Sequence, residues 1–340
     1  MNPITQRRLY QFKANKRGYY SFFIFLAIFF VTLLAEFIAN DKPLLVKYKG
    51  EFYFPVFKNY PETTFGGTFE TATNYRDPFV KNLINLNGFM ILAPIPFGIS
   101  TVNYELNKPA PSSPSFDNLL GTDDQGRDVL TRLIYGFRIS ILFGLALTLG
   151  ASLIGIFAGA VQGYFGGRID LFMQRFIEIW SNLPMLYLLI ILSSMIEPNF
   201  WWLLSIMLIF SWMTLVSVVR AEFFRTRTLD YVRAAEALGV PSHRIIWRHM
   251  LPNAMVAVIT YMPFILNNSI ATLTSLDFLG FGLPPGSASL GELITQAKNN
   301  IQAPWLGLTA FFSISILLSL LIFIGEAVRD AFDARKIKVV

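Results

Sequence analysis

The 340-residue chain contains no cysteine, only two histidines and few charges for its length. Without cysteine there is no disulfide framework, no thiolate metal site and no cysteine nucleophile. The two histidines, His243 and His249, lie in one short segment with no carboxylate pair beside them, which favours a structural role over metal ligation. No H-E-x-x-H and no G-x-S-x-G sequence occurs, so the corresponding metalloprotease and serine-hydrolase machinery is excluded. Charged residues make up 15% of the chain, against about a quarter in ordinary soluble domains. The net charge of +6 does not point to nucleic acid. The basic residues cluster beside apolar runs and form no separate basic domain, the distribution that retains a segment in the cytoplasm.

What fills the chain instead is hydrophobic sequence, 54% of residues with 33 phenylalanines. A bilayer core of about 30 Å needs about 20 apolar helical residues. Six runs qualify: Ser21–Ala39, Ile139–Val161, Phe176–Ile196, Phe200–Val219, Ala254–Leu273 and Leu306–Gly325. Glu36 and Glu178 sit near the ends of their runs, where the interface is within reach. Glu197, Pro198 and Asn199 alone separate the third and fourth runs, which predicts a tight hairpin, and Trp201, Trp202, Trp212 and Trp305 supply interface anchors. Arg7, Arg8, Lys13, Lys16 and Arg17 precede the first run as they would a signal peptide. The run is too long for one, though, and no small-x-small cleavage site follows, so an uncleaved span is expected. The same five residues, Arg168 and Arg175, six arginines between Arg220 and Arg248, and Arg329, Arg335, Lys336 and Lys338 all fall on one side. That predicts an inner (cytoplasmic) membrane protein, multi-pass, with both termini cytoplasmic and membrane lipid as its solvent.

Residues 40–138 hold no apolar run of spanning length and are rich in proline and aromatics. They are expected outside, either as a small cap or packed over the bundle. Within them, Gly121-Thr122-Asp123-Asp124-Gln125-Gly126-Arg127-Asp128 has the glycine spacing of a phosphate-binding loop. The functional motif needs Lys and then Ser/Thr after the second glycine. Arg127 and Asp128 stand there, and an aspartate repels phosphate, so a nucleotide site is rejected.

Gly155, Gly159, Gly163 and Gly167 recur every four residues and predict a smooth ridge for a close helix neighbour. The fifth run carries Pro263, then Asn267, Asn268, Ser269 and Thr272, and is followed by Thr274, Ser275 and Asp277. Polar groups at membrane depth need a partner or water. Two readings are equally open: interhelical hydrogen bonding, or a substrate passage lined by Asn267, Thr274, Asn268 and Asp277. Asn182 and Pro184 in the third run add a polar group and a kink to such a passage.

Between the fourth and fifth runs the punctuation of two short helices is legible. Thr228 is the expected N-cap of the first, Asp230 suits its first turn, and Gly239 ends it. Ser242 is the expected cap of the second, which runs to Pro252. Ala234 and Ala235 leave room for another surface, and Arg233, Arg244 and Arg248 favour an acidic one. The element reads as a docking device or as an ordinary amphipathic loop.

Ala234-Ala235…Gly239…His249-Met250-Leu251-Pro252 resembles the E-A-A…G…I-x-L-P signature of bacterial ABC importer permeases, with Arg233 at the Glu position and His249 at the Ile position. Tyr231-x-x-Ala-Ala-x-Ala237-Leu238-Gly239 and Leu251-Pro252-Asn253 resemble the dipeptide/oligopeptide/nickel branch. So do Leu120–Leu130, Gly163–Gly167 and the terminal Arg329–Asp333. The extended segment from Asp41 to about Asn107 is similar to permeases of peptide and microcin C importers. Leu273 departs from the pattern, since many relatives carry Glu there.

The resemblance implies an all-α integral membrane fold of six transmembrane helices, a type I ABC importer permease with an extended periplasmic segment after the first helix. Its parts would be a cytoplasmic N-terminal segment (1–20), a first span (21–39), the periplasmic segment (40–138), a five-helix core (139–325) with a cytoplasmic coupling loop (220–252), and a tail (326–340). It also implies the ATPase-docking residues: Tyr231, Arg233, Ala234, Ala235, Ala237, Leu238, Gly239, His249, Leu251 and Pro252. Such a chain binds no cofactor; ATP and Mg belong to a partner ATPase. The other expected partners are a second permease and a periplasmic substrate-binding protein, which would meet Gly282–Gly286 and a short helix opened by Ser289-x-x-Glu292. The competing class, an ion-coupled secondary transporter, calls for inverted repeats and buried coupling carboxylates, and no convincing repeat is present.

Overall fold

The computed structural model describes residues 3–333 except Asn107, Ser194 and Pro198. The basic residues Arg335, Lys336 and Lys338 and the central proline of the expected hairpin therefore lie outside the described residues. Helices α1 (Pro3–Ala14), α2 (Lys16–Leu33) and α3 (Ala35–Ile38) come first, followed by strands β1 (Leu45–Tyr48) and β2 (Glu51–Tyr53). Helix α4 (Pro78–Asn87) and strand β3 (Gly88–Ile91) precede the long helix α5 (Val129–Phe165). Then come α6 (Gly167–Ser181), α7 (Met185–Ser193), α8 (Phe200–Ser211), α9 (Met213–Arg227) and α10 (Asp230–Ala237). Helix α11 (Ser242–Arg244) runs through a π-helical turn, Ile245–Met250, into α12 (Leu251–Phe278); α13 (Leu290–Asn299) and α14 (Pro304–Phe332) close the chain.

Five stretches are long and apolar enough to cross a membrane: α2, α5, Phe200–Arg227, Ser242–Phe278 and α14. The pair α6 and α7 makes a sixth if counted as one span, but it is bent by 63°. The third expected span is thus broken rather than straight. The cause is local: Pro184 has no N–H to give and disfavours helix at Leu183, so α6 ends at Ser181 with Asn182 as its cap. Helices also overrun the apolar runs that announced them. At 1.5 Å per residue, the 37 residues of α5 extend about 55 Å, well beyond a bilayer core. Helix α14 likewise continues through Phe332, into what the sequence marks as tail.

The chain divides into two units. The helical unit comprises the described parts of Met1–Leu26, Ile141–Pro284 and Ser315–Val340. Its glycine ridge works at three of the four expected positions. A Cβ at Gly155 would meet Trp212 O at 2.7 Å, one at Gly159 would meet Val216 O at 2.8 Å, and one at Gly163 would meet Phe223 Cβ at 2.4 Å. Helix α5 therefore lies backbone-close to Trp212 and α9. Gly167 is different: a Cβ would meet nothing, but its φ of +53 turns the chain between α5 and α6.

The mixed unit, Ala27–Ser140 with Pro285–Ile314, holds the structure that hydropathy left open. A three-stranded antiparallel sheet runs in the order β2-β1-β3. Lys49 and Gly50, both at positive φ, make the two-residue hairpin loop. Val46 and Tyr48 point to one face and pack with Phe65, Tyr75, Val80 and Ile84. Asp77 caps α4 by accepting the Phe79 N–H at 2.8 Å.

The lookalike loop of the mixed unit is a buried ionic cluster. Asp123 accepts the N–H groups of Gln125 and Arg127, each at 2.9 Å, and pairs with Arg127 Nε at 2.7 Å and Arg132 Nε at 3.4 Å. Asp128 stands before α5 and accepts the Thr131 N–H at 2.7 Å, the geometry of an N-cap, and Asn118 Nδ2 at 2.9 Å. Arg132 reaches back to the carbonyls of Gly286 and Ser287, at 3.3 and 2.8 Å. Two carboxylates and two guanidiniums balance, as buried charges must.

Candidate functional site

The segment from the end of α9 to the start of α12 is anchored from beneath. Val232 and Ala235 of α10 are buried together with Ile245, Met250, Leu215, Val219 and Phe223 in one apolar cluster. Helix α10 ends in a Schellman motif: Val240 N–H donates to Ala235 O at 3.1 Å and Gly239 N–H to Glu236 O at 2.9 Å. Gly239 has φ +76, the left-handed conformation that glycine adopts without strain. The caps at the other ends differ from expectation. Thr228 closes α9, its hydroxyl donating to Arg225 O at 2.8 Å, and Leu229 takes the N-cap position of α10 without a side-chain bond. Pro241, not Ser242, precedes α11. Both hydroxyl residues lie one place away from the cap positions, which is the resolution of cap statistics.

The exposed residues of this element are apolar and charged, the arginines outnumbering the acids Asp230 and Glu236. Leu238 is 83% exposed and Trp247 67% exposed, with Leu229 and Tyr231 also in solvent. Arg233, Arg244 and Arg248 are exposed beside them, as are Ala234, Ala237 and Gly239. Ala235, at 9%, belongs to the inward face. Asn253 Nδ2 ties the two ends together, donating to Tyr231 Oη at 2.7 Å and to His249 O at 3.1 Å. Leu251 is half-buried and Pro252 exposed. The π-helical turn carries Trp247 and His249; sequence spacing gave no sign of it.

The polar residues of α12 separate into kinds. Ser269 and Thr274 are buried and donate to carbonyls of their own helix, Ile265 O at 2.8 Å and Ile270 O at 2.9 Å. Asp277 is buried and accepts the Leu283 N–H at 2.6 Å, holding the turn after the helix. Asn268 is exposed. Asn267 has a buried Oδ1 with no hydrogen-bond partner among the described residues. Asn182 is exposed at the end of α6, its amide donating to Glu178 O at 2.6 Å.

Helix α13 opens as its capping residues imply, with Ser289 Oγ accepting the Glu292 N–H at 3.1 Å. Much of it is buried, Leu290 and Leu293 among the core, leaving Lys298, Asn299 and the preceding Pro284 and Pro285 exposed. Elsewhere in the mixed unit the buried Tyr75 hydroxyl makes no hydrogen bond of good geometry among the described residues, and burial pushes its pKa up to about 12 against the smaller, opposite effect of Thr73. Among the described residues no cluster of His, Asp and Glu could hold a metal ion.

Five or six stretches of apolar helix of spanning length mark a multi-pass membrane protein, and the buried cluster beneath α10 fixes the segment between α9 and α12. The model of a family described as binding-protein-dependent transport system inner membrane component matches residues 151–338, more than half of the chain. The inner membrane ABC transporter permease protein YejE of Escherichia coli strain K12 is 61% identical over 99% of this chain and 98% of its own length. The peptidoglycan transport system permease protein YejE of Agrobacterium fabrum is 57% identical over 98% of this chain and 94% of its own. The oligopeptide transport system permease protein OppC of Lactococcus lactis subsp. lactis is 37% identical over 64% of this chain and 76% of its own. The chain belongs to the family of binding-protein-dependent inner membrane permeases of ABC transporters.

Proposed function

We propose that this chain is one of two membrane subunits of an importer that carries peptides or peptide-like compounds into the cytoplasm. The substrate class is supported by the names of two relatives, an oligopeptide and a peptidoglycan transport system permease protein. Both termini and the projection between α9 and α12 lie on the cytoplasmic side, and residues 40–138 lie outside. A homologous permease supplies the other half of the passage, and a periplasmic binding protein delivers substrate near Gly282–Gly286 and the exposed end of α13. ATP and Mg are bound by cytoplasmic ATPase subunits, whose dimerisation tilts the bundles between outward and inward access. Asn267 and Asn268 face the passage; Thr274 and Asp277, already bonded within the chain, hold α12 and the turn after it.

The observation that carries this reading is the projection itself. Leu238 and Trp247 stand exposed on a core fixed by Val232, Ala235 and Ile245, in a segment whose exposed arginines, Arg233, Arg244 and Arg248, outnumber the exposed Asp230 and Glu236. An apolar anchor in a segment with an excess of arginine fits a groove in an acidic partner. Burying Leu238 in that groove contributes roughly 1.5–3 kcal/mol. Leu238→Asp should abolish co-purification of the ATPase and ATP-dependent uptake while leaving the detergent-purified chain monodisperse. Ala235→Glu, by contrast, would collapse the core beneath. An ATPase retained by Leu238→Asp, with uptake unchanged, would place the docking surface elsewhere.

A further inference from the structure

Two cavities of the mixed unit share a wall. The larger, about 840 Å³, lies among residues 36–42, 72–78 and 98–105; the smaller, about 420 Å³, reaches Lys81, Phe97 and Asp117. Asp41, Tyr75, Arg76 and Glu105 line both. Each volume falls within the ordinary range of ligand sites, roughly 300–1,000 Å³. The wall has hydrogen-bonding capacity to spare. Asp41 receives one bond from the Thr101 hydroxyl at 2.9 Å. Arg76 lies over the Phe97 ring, 4.5 Å from its centroid, and gives Nη1 to Pro96 O at 3.4 Å, which leaves further N–H groups of its fork. Glu105 is exposed and forms no ion pair among the described residues. Tyr75 is only 4% exposed, and its hydroxyl, in the wall, makes no hydrogen bond of good geometry among the described residues; its polar neighbour Thr73 already donates its own hydroxyl to Tyr60 O at 2.8 Å. A buried hydroxyl without a partner is rare in folded proteins and calls for an explanation.

We propose that the paired cavity holds the unblocked amino-terminal end of a short peptide, with the ammonium group against Asp41 and Glu105 and the first carbonyl oxygen on Tyr75 and Arg76. The inference rests on the reading of the chain as a peptide importer and adds a site on this subunit itself. A simple cation would satisfy the two carboxylates but leave the phenol and the remaining N–H groups of the Arg76 guanidinium with no new acceptor. A ligand that carries a cation and a carbonyl oxygen on adjacent atoms satisfies all four, and that is the start of a peptide chain. A single amino acid would leave the second cavity empty. The site offers the peptide a place to be held outside the membrane by the permease.

The test uses the transporter assembled with its second permease and ATPases in nanodiscs, without binding protein, and equilibrium dialysis of radiolabelled trialanine. Saturable binding is expected, weakened roughly tenfold or more by N-acetylation of the probe, by Glu105→Gln, by Asp41→Asn and by Tyr75→Phe, each of which removes one hydrogen bond or charge. Tyr75→Phe keeps the ring in its aromatic cluster, so loss of binding there does not report misfolding. Glu70→Gln, an equal charge change on an exposed residue that lines neither cavity, should bind as wild type does. No saturable binding, equal affinity for the acetylated probe, or equal affinity in all variants would overturn the proposal. Binding that appears only when the binding protein is added would also overturn it and assign the cavity to a segment of that protein. ATP-dependent tripeptide uptake by the complete transporter separates the two ideas. Uptake without cavity binding removes this site and leaves the peptide-import reading standing, whereas absence of peptide uptake removes both.

Discussion

The two units bury different kinds of side chain. The interior of the helical unit is mostly aliphatic, with Phe143, Phe223, Met207 and Met250 among the leucines, valines and isoleucines, and few of its buried groups are charged; the hydroxyls of Ser269 and Thr274 bond within their own helix. The mixed unit instead encloses Asp123, Arg127, Asp128 and Arg132, none more than 5% exposed, and uses them to tie the start of α5 to loops more than 150 residues away. In hydrocarbon the backbone must satisfy itself, so a membrane helix gains most from close, dry packing. A unit made largely of loops has many carbonyls and N–H groups to satisfy, and long charged side chains can reach them. Shape holds one unit together, while paired charge holds the loops of the other.

The largest effect should come from breaking the charge balance. Arg132→Met leaves Asp123 with half its compensation and strips the carbonyls of Gly286 and Ser287 of their donor. Removing one partner of a buried ion pair costs about 3–5 kcal/mol. The purified variant should show a sharply lowered thermal midpoint and a poor folded yield. A midpoint no lower than that of the exposed-pair variant Arg175→Met, whose bond to Glu178 is solvent-facing, would mean the cluster is not what holds these loops. A lesser loss, about 1–3 kcal/mol, is expected from overpacking the helical unit with Gly163→Val, because the new Cβ lands 2.4 Å from Phe223 Cβ. Gly159→Ala should do less, and a Gly163→Val protein as stable as wild type would show that α5 and α9 slide apart freely.

The contrast also explains what the sequence disclosed. Hydropathy and helix punctuation are local signals, so the spanning runs, the break at Pro184, the stop at Gly239 and the start at Ser289 could be read from a few residues each. The ion cluster could not. In the sequence Asp128 speaks against a phosphate loop and both aspartates belong to the family-like run Leu120–Leu130, but the role of the cluster depends on Arg132 and a loop beyond residue 280. The sheet was hidden for the same reason: β1 and β3 are short and separated by 39 intervening residues, 49–87. The inward turn of Ala235 was nearer to hand. Val232 and Ala235 are three apart on α10, and helical periodicity puts them on one face, but the family motif drew attention to Ala235 as an outer contact.

Asn267 sharpens the comparison from the helical side. Its buried oxygen finds no partner among the described residues, whereas Ser269 and Thr274 of the same helix bond to its carbonyls. Asn267→Leu removes an unsatisfied acceptor, so stability should stay within about 1 kcal/mol of wild type. If the amide faces the passage as proposed, uptake should nevertheless fall or change its peptide preference. Unchanged transport and unchanged specificity would return Asn267 to simple packing.

The smallest stability effect is expected at Tyr75, the counterpart of Asn267 in the mixed unit. Its ring packs edge-on against Phe65, with centroids 5.7 Å apart, and Phe can fill the same place. Losing a hydroxyl that makes no hydrogen bond of good geometry should leave stability unchanged or raise it by up to about 1 kcal/mol. Alkaline titration distinguishes the two proteins further. Burial raises the folded-state pKa of Tyr75 from 10.0 to about 12, so the unfolded chain ionises there first. Wild type therefore keeps its full stability below pH 10 and loses this contribution as pH climbs towards 12, whereas Tyr75→Phe has no such group to lose. The difference between the two thermal midpoints should widen across that window and nowhere below it. A parallel decline of both proteins would mean that the hydroxyl reaches water, which would make its lack of a partner unremarkable and remove the reason to look for a ligand beside it.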